Sequence, residues 1–386
     1  MDYKPIDLSP PRISEEAVDA VSTVLRSGWL TQGPRTTEFE KAFSDYQGHH
    51  LPGVAVNSGT AALHLAVILA GIGSGDEVII PSLTFAAAGE VLLREGATPV
   101  FAEVDPQSGN LDPAAVEAAL TAKTKAIMPV HLGGYPAEMT KLRRICDAHD
   151  LYLIDDCAHA VETRHRGAWA GSLADASAFS FYVNKNLTTG EGGMLLSPHE
   201  DWLERVRRLR LHGMDHDAWN RYAADGRPGY DIVEQGYKYN STDIASALGL
   251  AQLKRIEENY LRRAELAAAY DEALTGLPGI ELPPRPAEDS TDRHAWHLYV
   301  IRITEDCPLS RDELALALRR MNTATAVHYH PMHLMRLYRE RLGGREGQLP
   351  ITERLARERL TLPFCAAYEP ATAVEVARRI GIALAG

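Results

Sequence analysis

Asp155, Asp156 and His159, followed by Lys185 and a glycine-rich turn, are the residues in this chain whose types and spacing could do chemistry. Leu151-Tyr152-Leu153-Ile154 is a short apolar run that ends on two acids, the pattern of a buried strand delivering a carboxylate to the mouth of a sheet. Ala176 to Phe181 is a second such run, and it delivers Lys185. Behind the amine, Thr188-Thr189-Gly190-Glu191-Gly192-Gly193 gives a backbone compact enough to pass close to a ligand. An acid and an amine at the ends of neighbouring strands make a place to hold something electron-poor, and pyridoxal phosphate asks for these types. It needs an amine for a Schiff base and a carboxylate beside its ring nitrogen, so that the protonated ring draws electrons from the substrate carbon. Lys185 and Asp156 are the catalytic candidates. Once displaced, the amine can carry a proton between substrate and cofactor carbons, which requires a pKa lowered toward neutrality, and burial beside a cationic ring would lower it.

Taken singly, each piece has a plainer reading. A lysine within Asn184-Lys185-Asn186 is ordinarily a solvated turn residue, and Asp155-Asp156 an ordinary strand end. Asp156 with His159 suggests a metal pair, but no third ligand is close in sequence, so no metal is expected. The whole set, in this order, is what favours the cofactor.

The elements that must position these groups follow from hydrophobic periodicity. Helices are expected at Ser14 to Leu25 and about 36 to 46, then a strand at Val54 to Val56 turning through Asn57-Ser58-Gly59-Thr60 into a helix over Ala61 to Ala70. A strand, a Ser-Gly-Thr turn and a helix N-terminus can bind a phosphate, although neither a Walker loop nor G-x-G-x-x-G is present. Strand and helix then alternate from Asp76 to Asp155, predicting a mostly parallel sheet flanked by helices, with ligands beyond the carboxyl ends of its strands. Further on, the pattern predicts a strand at 193–197, an arginine-rich helix at His199 to Leu211, a loop-like stretch over 213–236 that covers the site, and one long helix from Thr242 to Leu274. A smaller C-terminal part then has strands at His294 to Ile303 and Thr323 to Tyr329, with helices at Ser310 to Met321, about 351 to 358 and 370 to 384. Its His328-Tyr329-His330-Pro331-Met332-His333 run has alternating histidines without accompanying cysteine or carboxylate, which favours polar packing over a metal.

Asp156-Cys157-Ala158-His159, Phe179-Ser180-Phe181 and Lys185 through Gly193 together resemble the signature of the DegT-type nucleotide-sugar aminotransferases. The resemblance implies a fold-type I, aspartate-aminotransferase-like α/β fold: a mainly parallel sheet flanked by helices, plus a smaller α+β C-terminal domain. It also implies Lys185 as the Schiff-base lysine, Asp156 at the pyridine nitrogen, His159 near the cofactor's phenolic oxygen and Ser180, Gly59 and Thr60 on its phosphate. Phe85 would stack on the ring. Asn240 would reach across a homodimer interface to the neighbouring cofactor phosphate. Thr31, within Gly28-Trp29-Leu30-Thr31-Gln32-Gly33-Pro34, lines the substrate entrance in the family, and Lys238 sits where a substrate diphosphate would lie. Tyr329 and His330 fall in a loop near the sugar nucleotide. Relatives with histidine in place of the lysine catalyse dehydration, whereas this chain keeps Lys185, so transamination is implied. The expected reaction moves an amino group from glutamate to a keto carbon of a nucleotide-linked deoxy sugar, with C4 favoured over C3 by Gly236-Tyr237-Lys238-Tyr239-Asn240. Amination of a non-nucleotide cyclic ketone such as an inosose, and a cofactor-binding regulator without turnover, are the alternatives.

Composition bounds the rest. With 386 residues and 45% hydrophobic content the chain can bury one large core and a smaller one, divided as residues 1–250 and 251–386. A net charge of −12 argues against nucleic acid. The four cysteines form no C-x-x-C pair or framework, the N-terminal residues lack a signal-peptide pattern, and the most apolar stretch, Ala61 to Ile72, is too short to cross a bilayer. No membrane association and a cytoplasmic location are expected.

Overall fold

Aliphatic runs four or five residues long, separated by amphipathic segments, assemble the main layer of the molecule. The computed structural model describes residues 3–48, 51–215 and 230–385. Its strands are β1 (Gly53–Val56), β2 (Glu77–Pro81), β3 (Thr98–Ala102), β4 (Thr124–Ile127), β5 (Tyr152–Asp156), β6 (Arg164–His165), β7 (Ala168–Trp169), β8 (Ala176–Ser180), β9 (Gly193–Leu196), β10 (Ile280–Glu281), β11 (Tyr299–Ile303) and β12 (Arg359–Leu362). The α-helices are α1 (Glu15–Ser27), α2 (Pro34–Tyr46), α3 (Gly59–Leu69), α4 (Ala87–Arg94), α5 (Pro113–Ala119), α6 (Met139–His149), α7 (Glu200–Leu209), α8 (Asp243–Leu253), α9 (Ile256–Leu274), α10 (Arg311–Arg320), α11 (Arg336–Leu342), α12 (Pro350–Glu358) and α13 (Pro370–Ala385).

Among the described residues, seven strands pair in the order β1-β9-β8-β5-β4-β2-β3, all parallel except β9, which runs antiparallel to both β1 and β8. The sheet is buried on both faces, which is why its strands read as continuous apolar runs. Alternation still divides the faces. Val78, Ile80 and Ile154 join the core beneath α3 and α4, whereas Ile79 and Leu153 join the core against α6. Phe39 and Phe43 of α2 close a third cluster with Phe179 and Phe181, in edge-to-face pairs 5.1–5.3 Å apart. From β1 at one edge the chain crosses to β2 and β3 at the other and returns through β4, β5, β8 and β9, so the carboxyl ends of β1, β5 and β8 open onto a common crevice.

The C-terminal part packs the antiparallel sheet β10-β11-β12 with α9, α10 and α13 around Leu266, Tyr270, Tyr299, Ile301, Leu318, Leu360 and Ile380. Tyr3 and Ile6 pack on this same cluster, and the Ile6 amide donates to the carbonyl of Asn322 at 2.8 Å.

Three expectations are corrected, and a fourth falls largely outside the described residues. The single helix over 242–274 breaks at Arg255 (φ −110°, ψ 9°), because α8 packs on α1 and α2 while α9 packs on α13. The strand placed at Thr323 to Tyr329 is reduced to isolated bridges, Thr323 with Ile6 and Ala326 with Thr361, and the strand that completes the small sheet is β12. The strand placed at His294 to Ile303 is regular only from Tyr299. Before that, Ala295 and His297 donate to the carbonyls of Gly134 and Gly133 at 2.9 Å and Trp296 takes a positive φ of 51°. Of the covering loop at 213–236, residues 216–229 lie outside the described residues. Its ends meet at a bridge between Met214 and Ile232.

Candidate active site

β5 ends on Asp156, whose amide donates to the Pro129 carbonyl at 3.0 Å and whose carboxylate accepts from the Ala158 amide at 3.0 Å. Burial pushes its carboxyl up to about 6, against the opposing pull of that N–H and of Lys185. Lys185 follows β8 in a turn closed by its own amide donating to the Tyr182 carbonyl at 2.9 Å. Burial lowers its ammonium to about 8, and Asp156 opposes that drop. No described residue accepts a hydrogen bond from that ammonium.

Both groups face a cavity of ≈ 450 Å³, within the range of small-molecule sites. One wall is the start of α3. The Ser58 hydroxyl caps the helix by accepting from the Ala61 amide at 3.0 Å, which leaves the amides of Gly59 and Thr60, the first two of the helix, without an intrahelical acceptor. These amides and the helix dipole suit an anion. Gly59 is required by a close approach: a Cβ there would lie 2.8 Å from the Cβ of Ser180. On another wall Phe85 is 59% exposed, an aromatic face left open beside Tyr329, with ring centroids 6.1 Å apart. Free amides for a phosphate, a buried carboxylate for a ring nitrogen, an unpaired amine for an aldehyde and an open aromatic face for a flat ring together fit pyridoxal phosphate.

Eight of the residues singled out in the sequence line this cavity: Gly59, Thr60, Phe85, Asp156, His159, Ser180, Lys185 and Tyr329. Thr31, Lys238, Asn240 and His330 do not. Thr31 is exposed, and its carbonyl accepts from the Asp243 amide at 3.0 Å. Lys238 is exposed, with its carbonyl accepting from the Asn57 side chain at 3.2 Å. Asn240 bridges to Val56 and donates its amide to the Ser241 carbonyl at 2.9 Å, and His330 is exposed.

Apart from His333, which lies in the histidine run expected to pack as polar groups, the residues that hold the site in place leave no local signal in the sequence. Asn186, next to Lys185, donates to Glu162 at 2.8 Å and to the Ala295 carbonyl at 3.0 Å, and its oxygen lies 3.2 Å from His297 Nδ1. Glu162 in turn pairs with Arg263 of α9, both buried. Ser82, at the end of β2, contacts His333 Nδ1 at 2.7 Å, and His333 Nε2 lies 3.2 Å from Glu353, so the segment carrying His328 and Tyr329 is fastened to the sheet. These partners are 20 to 251 residues apart in sequence, beyond the reach of any local pattern.

His131, Asp155 and Cys157 lie with ligand atoms within 4.8 Å of one another beneath the cavity floor. His131 Nδ1 accepts from the Ala137 amide at 3.0 Å, so the proton of the neutral ring is on Nε2, where it points at Asp155 at 3.1 Å. A metal on that nitrogen would require an imidazolate, and the cluster reads instead as a hydrogen-bonded support for β5.

Residues 11–381 match the model of the DegT/DnrJ/EryC1/StrS aminotransferase family. The spore coat polysaccharide biosynthesis protein SpsC of Bacillus subtilis is 43% identical over 358 residues, covering 92% of this chain and 91% of its own. Among solved structures, Spr1654 of Streptococcus pneumoniae in its PMP form superposes with a TM-score of 0.91 at 32% identity, covering 98% of this chain and 99% of that one. DesI, solved in the presence of its TDP-sugar product, superposes with a TM-score of 0.85 at 33% identity, covering 98% and 92%. Sequence and fold thus agree along nearly the whole length, and the chain belongs to the DegT/DnrJ/EryC1/StrS family of pyridoxal-phosphate-dependent aminotransferases.

Proposed function

We propose that this enzyme transfers an amino group from glutamate to a keto carbon of a nucleotide-linked deoxy sugar, with C4 the favoured position. The observation that carries the reading is the meeting of Lys185 and Asp156 on one cavity beside a free helix N-terminus and an open aromatic ring. The TDP-sugar product of DesI and the polysaccharide role in the name of SpsC support a sugar substrate. Asn240 bridges to Val56 at the end of β1, and Asn57 grips Lys238 one residue before the cavity-lining Ser58, which supports a role for this segment. A diphosphate reaching out of the cavity would meet Lys238 and Thr31 there, and His330 and Tyr329 would meet the sugar.

When bound, pyridoxal phosphate supplies an aldehyde that accepts the amino group and a ring that takes up the electrons of the donor carbon. Gly59, Thr60 and Ser180 would hold its phosphate, Phe85 would cover its ring, His159 would lie near its phenolic oxygen, and Asp156 would keep a proton on its nitrogen. Lys185, brought by burial to about 8 and so available as the free amine, would carry a proton on its Nζ from the donor carbon to the cofactor carbon that receives the nitrogen. The proposed assembly is a homodimer in which Asn240 serves the partner's cofactor, with residues 1–250 as the cofactor domain and 251–386 as the smaller one. The location proposed is the cytoplasm. Among the described residues, no helix is long and apolar enough to cross a membrane.

Incubating the enzyme with glutamate and a panel of 3-keto and 4-keto nucleotide sugars, with product mass and regiochemistry as the readout, tests this reading. Amination at C4 of a nucleotide sugar is expected. Turnover of a free cyclic ketone and of no nucleotide sugar would replace it.

A further inference from the structure

His159 is buried between the Gly133 backbone and Tyr329. The Gly133 amide donates to His159 Nδ1 at 3.2 Å, so that nitrogen carries no proton. A neutral imidazole holds one hydrogen, which must then sit on Nε2, 3.2 Å from the Tyr329 hydroxyl oxygen. The tyrosine oxygen is therefore the acceptor of that contact, and its own hydrogen is left over. No described residue accepts it, and the hydroxyl lines the cavity that Lys185 and Asp156 also face.

We propose that Tyr329 is a catalytic residue that donates its hydroxyl hydrogen to an oxygen of the ligand bound beside Lys185, and that His159 is the positioning residue that turns this hydrogen inward. The ligand oxygen is either the phenolic oxygen of the cofactor or the carbonyl oxygen of the keto substrate, and the same donor suits both. With a phenolic oxygen, the contact is a hydrogen bond without transfer. With a carbonyl, the C=O bond is exchanged for C=N, and the two hydrogens of the incoming amino group leave with the oxygen as water. Tyr329 gives its proton to that oxygen and recovers one from the nitrogen, so it ends each cycle unchanged.

The surroundings hold both groups in the required forms. Burial, together with the positive charge of Lys185 and the neighbouring His297, His328 and His131, drives His159 well below the usual histidine range, so the ring stays neutral. Burial and the charge of Asp156 raise the Tyr329 phenol, so its proton is retained until an acceptor arrives. His297 packs against His159 with ring centroids 4.3 Å apart and planes tilted by 40°, which limits rotation of the His159 ring. The proposal rests on the aminotransferase reading of this cavity.

Tyr329→Phe in the full, cofactor-loaded chain tests it, because the ring and its packing are kept while the donor is lost. If the acceptor is the phenolic oxygen, the pH midpoint of the cofactor's visible absorption in the resting enzyme moves by about one unit. If the acceptor is the substrate carbonyl, that midpoint stays in place and amination of the keto substrate slows by about 10²- to 10⁴-fold. His159→Leu should reproduce whichever effect appears, and His159→Gln, which restores an N–H near the Nε2 position, should bring it back to within about tenfold of the parent. A resting spectrum and an amination rate that both match the parent in Tyr329→Phe would overturn the proposal. So would a His159→Leu enzyme that behaves as the parent, which also covers a Tyr329 variant that fails to load cofactor. Parent enzyme whose visible absorption is unchanged by glutamate would instead sink the aminotransferase reading, so the two failures are distinct.

Discussion

Asp156 and Lys185 are each held away from their preferred charge state by the same desolvation, opposed at Asp156 first by the Ala158 N–H and then by Lys185, and at Lys185 by Asp156. Asp156 has a folded pKa above its unfolded value, so its contribution to stability is full below the unfolded value near 3.8 and is lost as pH rises through about 6. Lys185 is depressed, so its contribution is lost as pH falls through about 8. Between those values the cofactor-free site holds both charges at a cost. Asp156→Asn should therefore melt higher than the parent when both are stripped of cofactor at pH 7 to 8, by about 1–3 kcal/mol, with the gap closing toward pH 4. The same variant should lose turnover, and the measurements are thermal scans across pH with parallel assays. Lys185→Ala should abolish the link to cofactor that borohydride fixes and that intact mass detects, and should lower turnover by at least 10²-fold. These two residues were legible because each closely follows an apolar strand run in the chain. Glu162 and His297 were not, since a buried glutamate declares itself only through a partner, and Arg263 is 101 residues away.

At the scale of elements, the start of α3 depends on the absence of a side chain. Gly59→Ala would put a methyl 2.8 Å from Ser180 Cβ and push the helix off β8. Affinity for pyridoxal phosphate should fall about tenfold or more, as followed by fluorescence titration, while affinity for the dephosphorylated pyridoxal changes little. The turn was readable from Asn57-Ser58-Gly59-Thr60 because a cap is a local device. The break between α8 and α9 was not, since nothing at Lys254-Arg255 stops a helix and the bend comes from packing on two different sets of neighbours. The Thr323 to Tyr329 run has strand-forming residues, but it must deliver Tyr329 to the cavity and cannot also follow β11. Arg359 to Leu362, alternately facing the C-terminal core, takes that place.

For the molecule as a whole, the alternation of apolar runs and amphipathic helices was enough to indicate a largely parallel sheet with its ligands at the strand ends, because burying both faces leaves few other arrangements. How the C-terminal part is joined to that sheet could not be read, since it depends on single buried side chains. Arg263, Glu162 and Asn186 form one part of that joint, beside the Ser82–His333 contact and the Ala295 and His297 amides on Gly134 and Gly133. Glu162→Gln should cost about 3–5 kcal/mol in denaturant unfolding, because it strands the Arg263 charge in the interior, whereas Glu162→Leu with Arg263→Met should recover most of the loss.

The turn that carries Lys185 thus has two unlike flanks. Asn186 is bolted to Ala295 and His297 of the C-terminal half and to Glu162, while Tyr182 and Val183 are exposed and Glu191 stands at the surface. On the Tyr182 and Glu191 side the turn borders the cavity, and on the other side Asn186 is the hinge post against which the reactive amine is braced.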